Sequence, residues 1–393
     1  MKNKIRRFLA LLLIAIFSTI AAGTIATAQV NPFANEGEIR GVWLTNIDSD
    51  AMFSPMETKL AVDRLARLNF NTIYPTVWQG GYTLYPSPVA KQVFGKSLDP
   101  DPRLQGRDVL QEIVKEGHKK GLAVIPWFEF GFMAPADSEL ARQHPEWLTK
   151  KRDGSTIKME GEEPRVWLNP FHPEVQQFIL DLVTEIVANY DVDGIQLDDH
   201  FGLPSEFGYD EYTVGLYEKE LPGLSPSDNH RETFWIRWRA DKINEFMERL
   251  FYAVKAIKQD CIISLSPNPF HFALPAYLQD WFTWERKGFI EEIVLQVYRP
   301  DLDRFIAELE RTEVELAKNH IPVAIGILSG LKNRSTPIYK IQQQVEEARK
   351  RGFAGVSFFF YESLWNWSEE PVFWRQRILR RMFAKSVERP AIN

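Results

Sequence analysis

One cysteine, Cys261, is all that the 393 residues contain. An internal disulfide is excluded, and so is a cysteine-rich metal cage, because both need paired thiols. Histidines number seven. No two of them stand in the His-x-x-x-His spacing that would put both on one helix face for a zinc ion. Positive charge is also in short supply: 47 basic residues face 53 acidic ones, a formal charge of −6. An acidic chain is a poor partner for nucleic acid or an anionic membrane surface. Neutral or cationic substrates fit better. Low-complexity runs are missing and 45% of residues are apolar, which argues for an ordinary large core without a disordered domain.

The one long hydrophobic run is at the start. Met1-Lys-Asn-Lys-Ile-Arg-Arg7 is a basic lead, residues 8–17 are apolar, and small residues follow as far as Ala26-Thr-Ala28. That is the pattern of a secretory signal peptide with an Ala-x-Ala cleavage site. A retained membrane anchor is the alternative. Without residues 1–28 the chain has 43 basic and 53 acidic residues, a charge of about −10. The expected organisation is a signal peptide at 1–28, a lead-in at 29–38, a catalytic-type barrel at 39–385 and a disordered tail at 386–393. The mature chain is expected to be exported, periplasmic or extracellular, with no integral membrane span.

Eight strand-then-helix units follow residue 38. Strands are expected at 39–46, 72–79, 123–130, 193–200, 262–268, 292–299, 322–329 and 355–362. Helices are expected at 56–68, 109–119, 174–188, 233–257, 275–288, 302–318, 338–351 and 372–383. Strict alternation predicts a parallel sheet. Eight units in this length predict an α/β protein with a (β/α)8 TIM barrel. The long connections at 82–108, 131–173 and 201–232 each follow a strand. They therefore belong to the C-terminal face, where barrel chemistry sits.

Strand parity points to a polar interior. Ile195 and Leu197 share one face, Gln196 and Asp198 the other. Ser264, Ser266 and Asn268 oppose Ile263 and Leu265; Gln296 and Tyr298 oppose Leu295 and Val297; Ser357, Phe359 and Tyr361 oppose Val356, Phe358 and Phe360. Such a lattice near a barrel mouth suits a hydroxyl-rich ligand, or else a satisfied polar core.

Four acidic residues end strands: Glu129, Asp198, Asp199 and Glu362. Glycoside hydrolysis needs two carboxyl groups, one to protonate the leaving oxygen and one to act as nucleophile or base. Asp198, on the inward parity, is the expected nucleophile or stabiliser. Glu129 lies among aromatic residues that raise a carboxyl pKa toward that of an acid; a rim salt bridge is the other reading. Asp199 is expected at the rim, catalytic or capping the next loop. Glu362 is the rival acid, its direction open. Three contiguous residues of an extended strand cannot share an ion, so Asp198, Asp199 and His200 are not expected to hold a metal. No metal and no cofactor are implied. Trp43, Trp78 and Trp127 are expected to stack on sugar rings. Asn46, Asn169, His200, Asn268, Gln296, Tyr298 and Tyr361 complete the expected substrate contacts.

Five segments together resemble the glycosyl hydrolase-like family 10. They are Glu38-Ile-Arg-Gly-Val-Trp-Leu-Thr-Asn46, His144-Pro-Glu-Trp-Leu148, Trp167-Leu-Asn-Pro170 with His172-Pro-Glu-Val175, Asp193-Gly-Ile-Gln-Leu-Asp-Asp199 and Ser264-Leu-Ser-Pro-Asn268. The resemblance spans essentially the whole mature chain. It implies a barrel distantly similar to those of α-amylases and α-galactosidases, in which an Asp after the fourth strand is the nucleophile. That supports Asp198. It also implies export, and a bacterial member resembles an enzyme that cuts peptide-free peptidoglycan strands. One departure stands out. Many relatives end strand three with an Asn-Pro-Tyr-type segment, whereas this chain has Glu129-Phe-Gly131, so Glu129 either protonates or tunes specificity.

Two functions remain. One is an exported glycoside hydrolase acting on cell-wall or extracellular glycan. The other is a non-catalytic glycan-binding barrel that scaffolds the wall. A metal-dependent deacetylase is disfavoured by the missing ligand spacing. Oligomeric state is not legible.

Overall fold

The computed structural model describes residues 37–392. The leader at 1–28 and all but the last two residues of the 29–38 lead-in lie outside the described residues.

Eight strands form the centre: β1 (Ile39–Leu44), β2 (Thr72–Pro75), β3 (Ala123–Val124 and Trp127–Phe128), β4 (Gly194–Asp198), β5 (Ile262–Ser266), β6 (Glu292–Gln296), β7 (Val323–Leu328) and β8 (Gly355–Phe359). Every neighbouring pair is parallel. The first half of β3 pairs with β2, Thr72 opposite Ala123, and its second half pairs with β4, Gln196 opposite Trp127. Pro126 lies between the halves. It lacks an N–H, yet its carbonyl accepts from Gln196 N at 2.7 Å. The sheet thus returns to the strand it began with, and the barrel closes.

The expected parity is what separates the two cores. Val42, Ile73, Ile195, Leu197, Ile263, Leu265, Ile293, Leu295 and Val356 join the cluster under the helices. Trp43, Tyr74, Ile125, Trp127, Val294 and Ala324 form a second cluster inside the barrel. Large inner rings need missing side chains opposite them: a Cβ on Gly41 would stand 2.7 Å from the Tyr74 ring, and one on Gly326 3.2 Å from the Trp43 ring.

The outer helices are α1 (Pro55–Arg67), α2 (Val109–His118), α3 (Pro173–Asn189), α4 (Thr233–Ile257), α5 (Trp281–Arg286), α6 (Leu302–Leu309), α7 (Ile338–Lys350) and α8 (Val372–Met382). Their starts are written in the sequence. Ser54 Oγ accepts from Glu57 N at 3.0 Å, Asp108 from Gln111 N at 3.0 Å, and Glu232 from Trp235 N at 2.8 Å, satisfying donors that the first turn leaves open. Along α4, Ile243, Phe246, Met247, Leu250 and Val254 recur at helical spacing and are all buried, which docks it on the sheet. Among the described residues no helix is long and apolar enough to cross a membrane.

Several expectations need correction. The helix expected at 275–288 is two, Phe270–Tyr277 and α5, parted at Leu278, whose φ is +54°. The helix expected at 302–318 parts where Arg311 turns extended, and Thr312–Ala317 follows separately. The long connections carry structure of their own. One holds a helix at Pro88–Phe94, the next an antiparallel sheet of Met133–Pro135, Glu163–Trp167 and Lys158–Glu160, the third a helix at Glu211–Glu220. Residues 386–392, expected to be disordered, instead pack across the N-terminal end of the barrel. Glu38 N donates to Glu388 O at 3.0 Å, Asn71 Nδ2 to Val387 O at 3.1 Å, and Arg389 forms an ion pair with Glu292 inside the barrel. A buried carboxylate that needs a partner is the physical reason.

Candidate active site at the barrel mouth

β4 ends at Asp198, two residues earlier than expected, and Asp199 and His200 belong to a turn. That shortening decides the site. Extended residues would alternate, whereas the turn gathers all three: ligand-capable atoms of Asp198, Asp199 and His200 lie within 4.8 Å of one another. The extended strand from which the three could not face one ion is therefore not what forms.

Asp198 is 3% exposed. Its Oδ1 accepts from Gln296 Nε2 at 2.8 Å, and the same amide nitrogen donates to Ser266 O at 2.9 Å. From below, Gln279 Nε2 donates to the Asp198 carbonyl at 2.9 Å and to that of Phe201 at 3.3 Å, so the break before α5 supplies the clamp on the turn. Asn268 Nδ2 donates to Asp199 Oδ2 at 2.5 Å. His200 Nδ1 is 3.3 Å from Asp199 Oδ1 and 3.6 Å from Asp198 Oδ2. It also lies 3.1 Å from the Glu129 carbonyl. A carbonyl only accepts, so Nδ1 carries a proton. Gly131 makes this approach possible: at φ +49° a Cβ would stand 2.5 Å from the His200 carbonyl.

Charge is distributed unevenly over these groups. Burial opposes a charge on His200, but Asp199 and Asp198 outweigh it and lift the imidazole to about 10. It is a cation at neutral pH. Burial, then the charge of Asp199, pushes Asp198 well above the ordinary carboxylate value, with His200 pulling the other way. Burial lifts Glu129 to about 7, His200 and Thr76 opposing. Among the described residues its carboxylate accepts from Thr76 Oγ1 alone, at 3.4 Å. Tyr298 is raised by burial and by the charges of Asp198, Asp199 and Glu129. The charges of all three carboxylates reach this one half-buried ring, so they lie near one another.

The protonated Nδ1 of His200 is not free to bind an ion, and the imidazolium already supplies positive charge between the two aspartates. With Nδ1 so engaged, the two carboxylates are the groups this cluster turns to a cation on that side of the ring.

The family model described as Glycosyl hydrolase-like 10 matches residues 38–347. The chain belongs to that family. Glycosyl hydrolase DigH of Escherichia coli K12 is 27% identical over 312 residues, 67% of this chain and 66% of the relative. Glycosyl hydrolase YngK of Bacillus subtilis is 24% identical, over 68% of this chain and 51% of the relative. The chain thus spans between half and two thirds of the length of these curated relatives. Among solved structures, the glycoside hydrolase domain of PgaB (BpsB) from Bordetella bronchiseptica superposes with a TM-score of 0.61 at 13% identity, over 82% of this chain and 94% of that one. An α-L-fucosidase of Paenibacillus thiaminolyticus gives 0.60 at 16% identity, over 88% and 49%. At such identity the likeness concerns the fold, and the fold is a barrel that these glycosidases share.

Within this family member the structure sorts the expected site residues. Asp198, Asp199, His200, Glu129, Asn268, Gln296 and Tyr298 come together. Trp43 and Trp127 lie inside the barrel, 0% and 3% exposed, as floor rather than as open platforms. Trp43 Nε1 donates to Gln196 Oε1 at 2.7 Å. The buried Trp127 Nε1 has no partner among the described residues.

Five residues do not join. Trp78 packs outside the barrel against Phe178, ring centroids 5.7 Å apart, and donates to Gly131 O at 3.0 Å; β2 ends at Pro75, so its parity does not reach that far. Asn169 is buried and ties two inserted segments together, donating to Asp210 Oδ1 and Thr213 Oγ1 at 2.9 Å each. Tyr361 faces outward, because Phe359 and Phe360 both pack on the inner cluster and break the alternation; its hydroxyl accepts from Arg64 at 3.1 Å. Glu362 turns to the loop after β1, accepting from Asp50 N at 3.3 Å and Asn366 Nδ2 at 2.5 Å. Asn46 lies on that same side, donating to Gln79 Oε1 at 3.2 Å.

Four contributors were missed. Thr76 was on the inward parity and legible. Gln279 depends on a helix break. Tyr277 ends the short helix after β5, and Arg165 comes from the inserted sheet after β3. Tyr277 sets its ring edge-on to His200 at 6.5 Å. The Arg165 guanidinium lies 5.3 Å from the Phe130 ring centroid and draws Glu129 downward.

Proposed function

We propose that the chain is an exported glycoside hydrolase that cuts glycosidic bonds of a cell-wall or other extracellular glycan. The observation that carries this reading is the pairing, at the barrel mouth, of an acid poised near neutrality with a second, buried carboxyl. Glu129, lifted to about 7, is the general acid, protonating the leaving oxygen and then accepting a proton from water. Asp198 is the nucleophile or the stabiliser of positive charge at the anomeric carbon. Gln296 fixes one of its oxygens and leaves the other toward His200. The charge that develops on the sugar favours ionised Asp198 at the moment of bond cleavage, offsetting the burial that raises it. Asn268, Asp199 and His200 hold the turn that aims it. Family membership and the signal-type leader support both the chemistry and the export.

The test is release of reducing ends from peptide-free peptidoglycan and a panel of polysaccharides. Turnover of at least one, abolished in Asp198→Asn, is the expected result; no release from any sinks the reading. The upward shift of Asp198 favours one alternative, a glycan-binding barrel without turnover. Binding that survives Asp198→Asn and Glu129→Gln, with no reducing ends from wild type, selects it.

A further inference from the structure

Glu362 and Asn46 fall outside the carboxylate cluster, yet they line a cavity of about 410 Å3 on the same face. That volume lies in the about 300–1,000 Å3 range of small-molecule sites. Its walls are segments that follow strands: Asn46 and Asp50 after β1, Arg103 in the insertion after β2, Lys332 after β7, and Glu362 and Trp367 after β8. It therefore lies at the C-terminal end of the strands, as Asp198 does. Two contacts make the connection physical. Trp367 packs against the inner barrel cluster that contains Trp43 and Phe360. Asn46 Nδ2 donates to Gln79, three residues beyond the Thr76 that donates to Glu129.

The chemistry of the walls narrows the occupant. Arg103 is paired with Asp101 at 2.7 Å and Asp50 at 3.3 Å, and Lys332 with Asp48 at 3.0 Å. Both cations are taken up and Glu362 leaves the lining with three carboxylates to two cations, so the cavity offers no surplus for a free anion. It offers instead polar groups beside an indole. Asn46 Oδ1 is buried and has no partner among the described residues. Exchanging the amide's oxygen and nitrogen leaves the other atom unpaired instead, so the vacancy is a property of the place. Glu362 accepts from Asp50 N and Asn366, and burial raises its pKa above the ordinary value. Amide, carboxyl and paired charges beside an aromatic ring match vicinal hydroxyls on a pyranose with an apolar face.

We propose that this cavity is a second sugar-binding subsite, which holds a neutral pyranosyl unit of the same glycan several units from the bond cut at Asp198 and Glu129. Rather than supplying the catalytic acid, Glu362 reads hydroxyls together with Asn46. The inference rests on the glycosidase reading and adds that the enzyme prefers long chains.

The probe is a ladder of β-1,4-linked N-acetylglucosamine oligomers, from dimer upward, titrated calorimetrically against the full chain. Binding is expected to tighten with length until the cavity is reached. Asn46→Ala and Trp367→Ala are each expected to weaken the longest oligomer roughly tenfold, the value of one lost bond or ring contact, and to leave the dimer unchanged. Trp367→Phe, which keeps a ring, restores most of the gain. Equal weakening at every length, or none in either variant, overturns the subsite. Hydrolysis of peptide-free peptidoglycan by those same variants separates the two claims: turnover with an intact length gain removes only the subsite. Wild type that neither binds nor cuts removes the glycosidase reading with it.

Discussion

The two ends of the barrel bury charge in opposite ways. At the N-terminal end, Glu292 is fully buried and fully partnered. Its Oε1 accepts from Tyr74 at 2.9 Å and from Ser264 at 2.8 Å, and its Oε2 meets Arg389. Burial lowers the Arg389 charge preference, and Glu292 more than restores it, well above the ordinary value. At the mouth, Glu129 has one weak donor and Asp198 stands beside another aspartate. The chain of Ser264, Gln196 and Trp43 joins the two ends, with Gln196 Nε2 donating to Ser264 Oγ at 2.9 Å. What differs is satisfaction. A satisfied buried charge holds a structure together, whereas an unsatisfied one keeps a reactive protonation state at hand.

The sharpest way to break this contrast is Asp198→Asn. It is expected to lower kcat/KM beyond the roughly 10²–10⁴ of a lost acid or base while the denaturant midpoint barely moves. Comparable loss of stability would make Asp198 a structural residue like Glu292. Next is Glu129→Gln. Wild-type activity on glycan is expected to fall as pH rises through about 7, where Glu129 loses its proton. The variant loses roughly 10²–10⁴ together with that alkaline limb. A pH profile of unchanged shape would take the acid role from Glu129.

Arg389→Ala should do the reverse. It strands Glu292 without its cation and is expected to cost about 3–5 kcal/mol in urea or guanidinium unfolding. The folded fraction keeps its kcat. An unaltered unfolding midpoint would mean that the tail is ornamental.

Smaller still is the linkage of stability to pH. Glu129 titrates at about 7 folded, against an ordinary 4.5. Stability from its neutral form is complete below 4.5 and fades as pH rises to 7. Relative to wild type, Glu129→Gln is therefore expected to gain up to about 3 kcal/mol above pH 7, less what its partial exposure screens. Equal differences at acid and alkaline pH would contradict the burial argument. Last, the His200 imidazole is expected to titrate near 10 in NMR spectra. A midpoint at 6.5 would dissolve the charge network of the mouth.

Period-two alternation held wherever a residue lay inside a paired strand. Gln196, Asp198, Ser264 and Gln296 face inward because neighbouring strands fix their pleat. The alternation failed just past the strand ends. Trp78 and Tyr361 turned outward there, and Asp199 and His200 turned together, since no ladder holds a residue beyond the last pair. Asn169 carried no periodic signal, because its partners Asp210 and Thr213 are some forty residues away in sequence.

Sequence alone therefore determined the barrel, the two-faced strands and the placing of Asp198 and Glu129 at strand ends on one face. These follow from local spacing and from burial of alternating faces. Only the tertiary structure decided that Gln279 clamps the turn, that Glu362 lines a separate cavity, and that Arg389 closes the base. Each depends on groups distant in the chain. A pKa or an ion pair is set by what surrounds a side chain in space, and no local pattern encodes that.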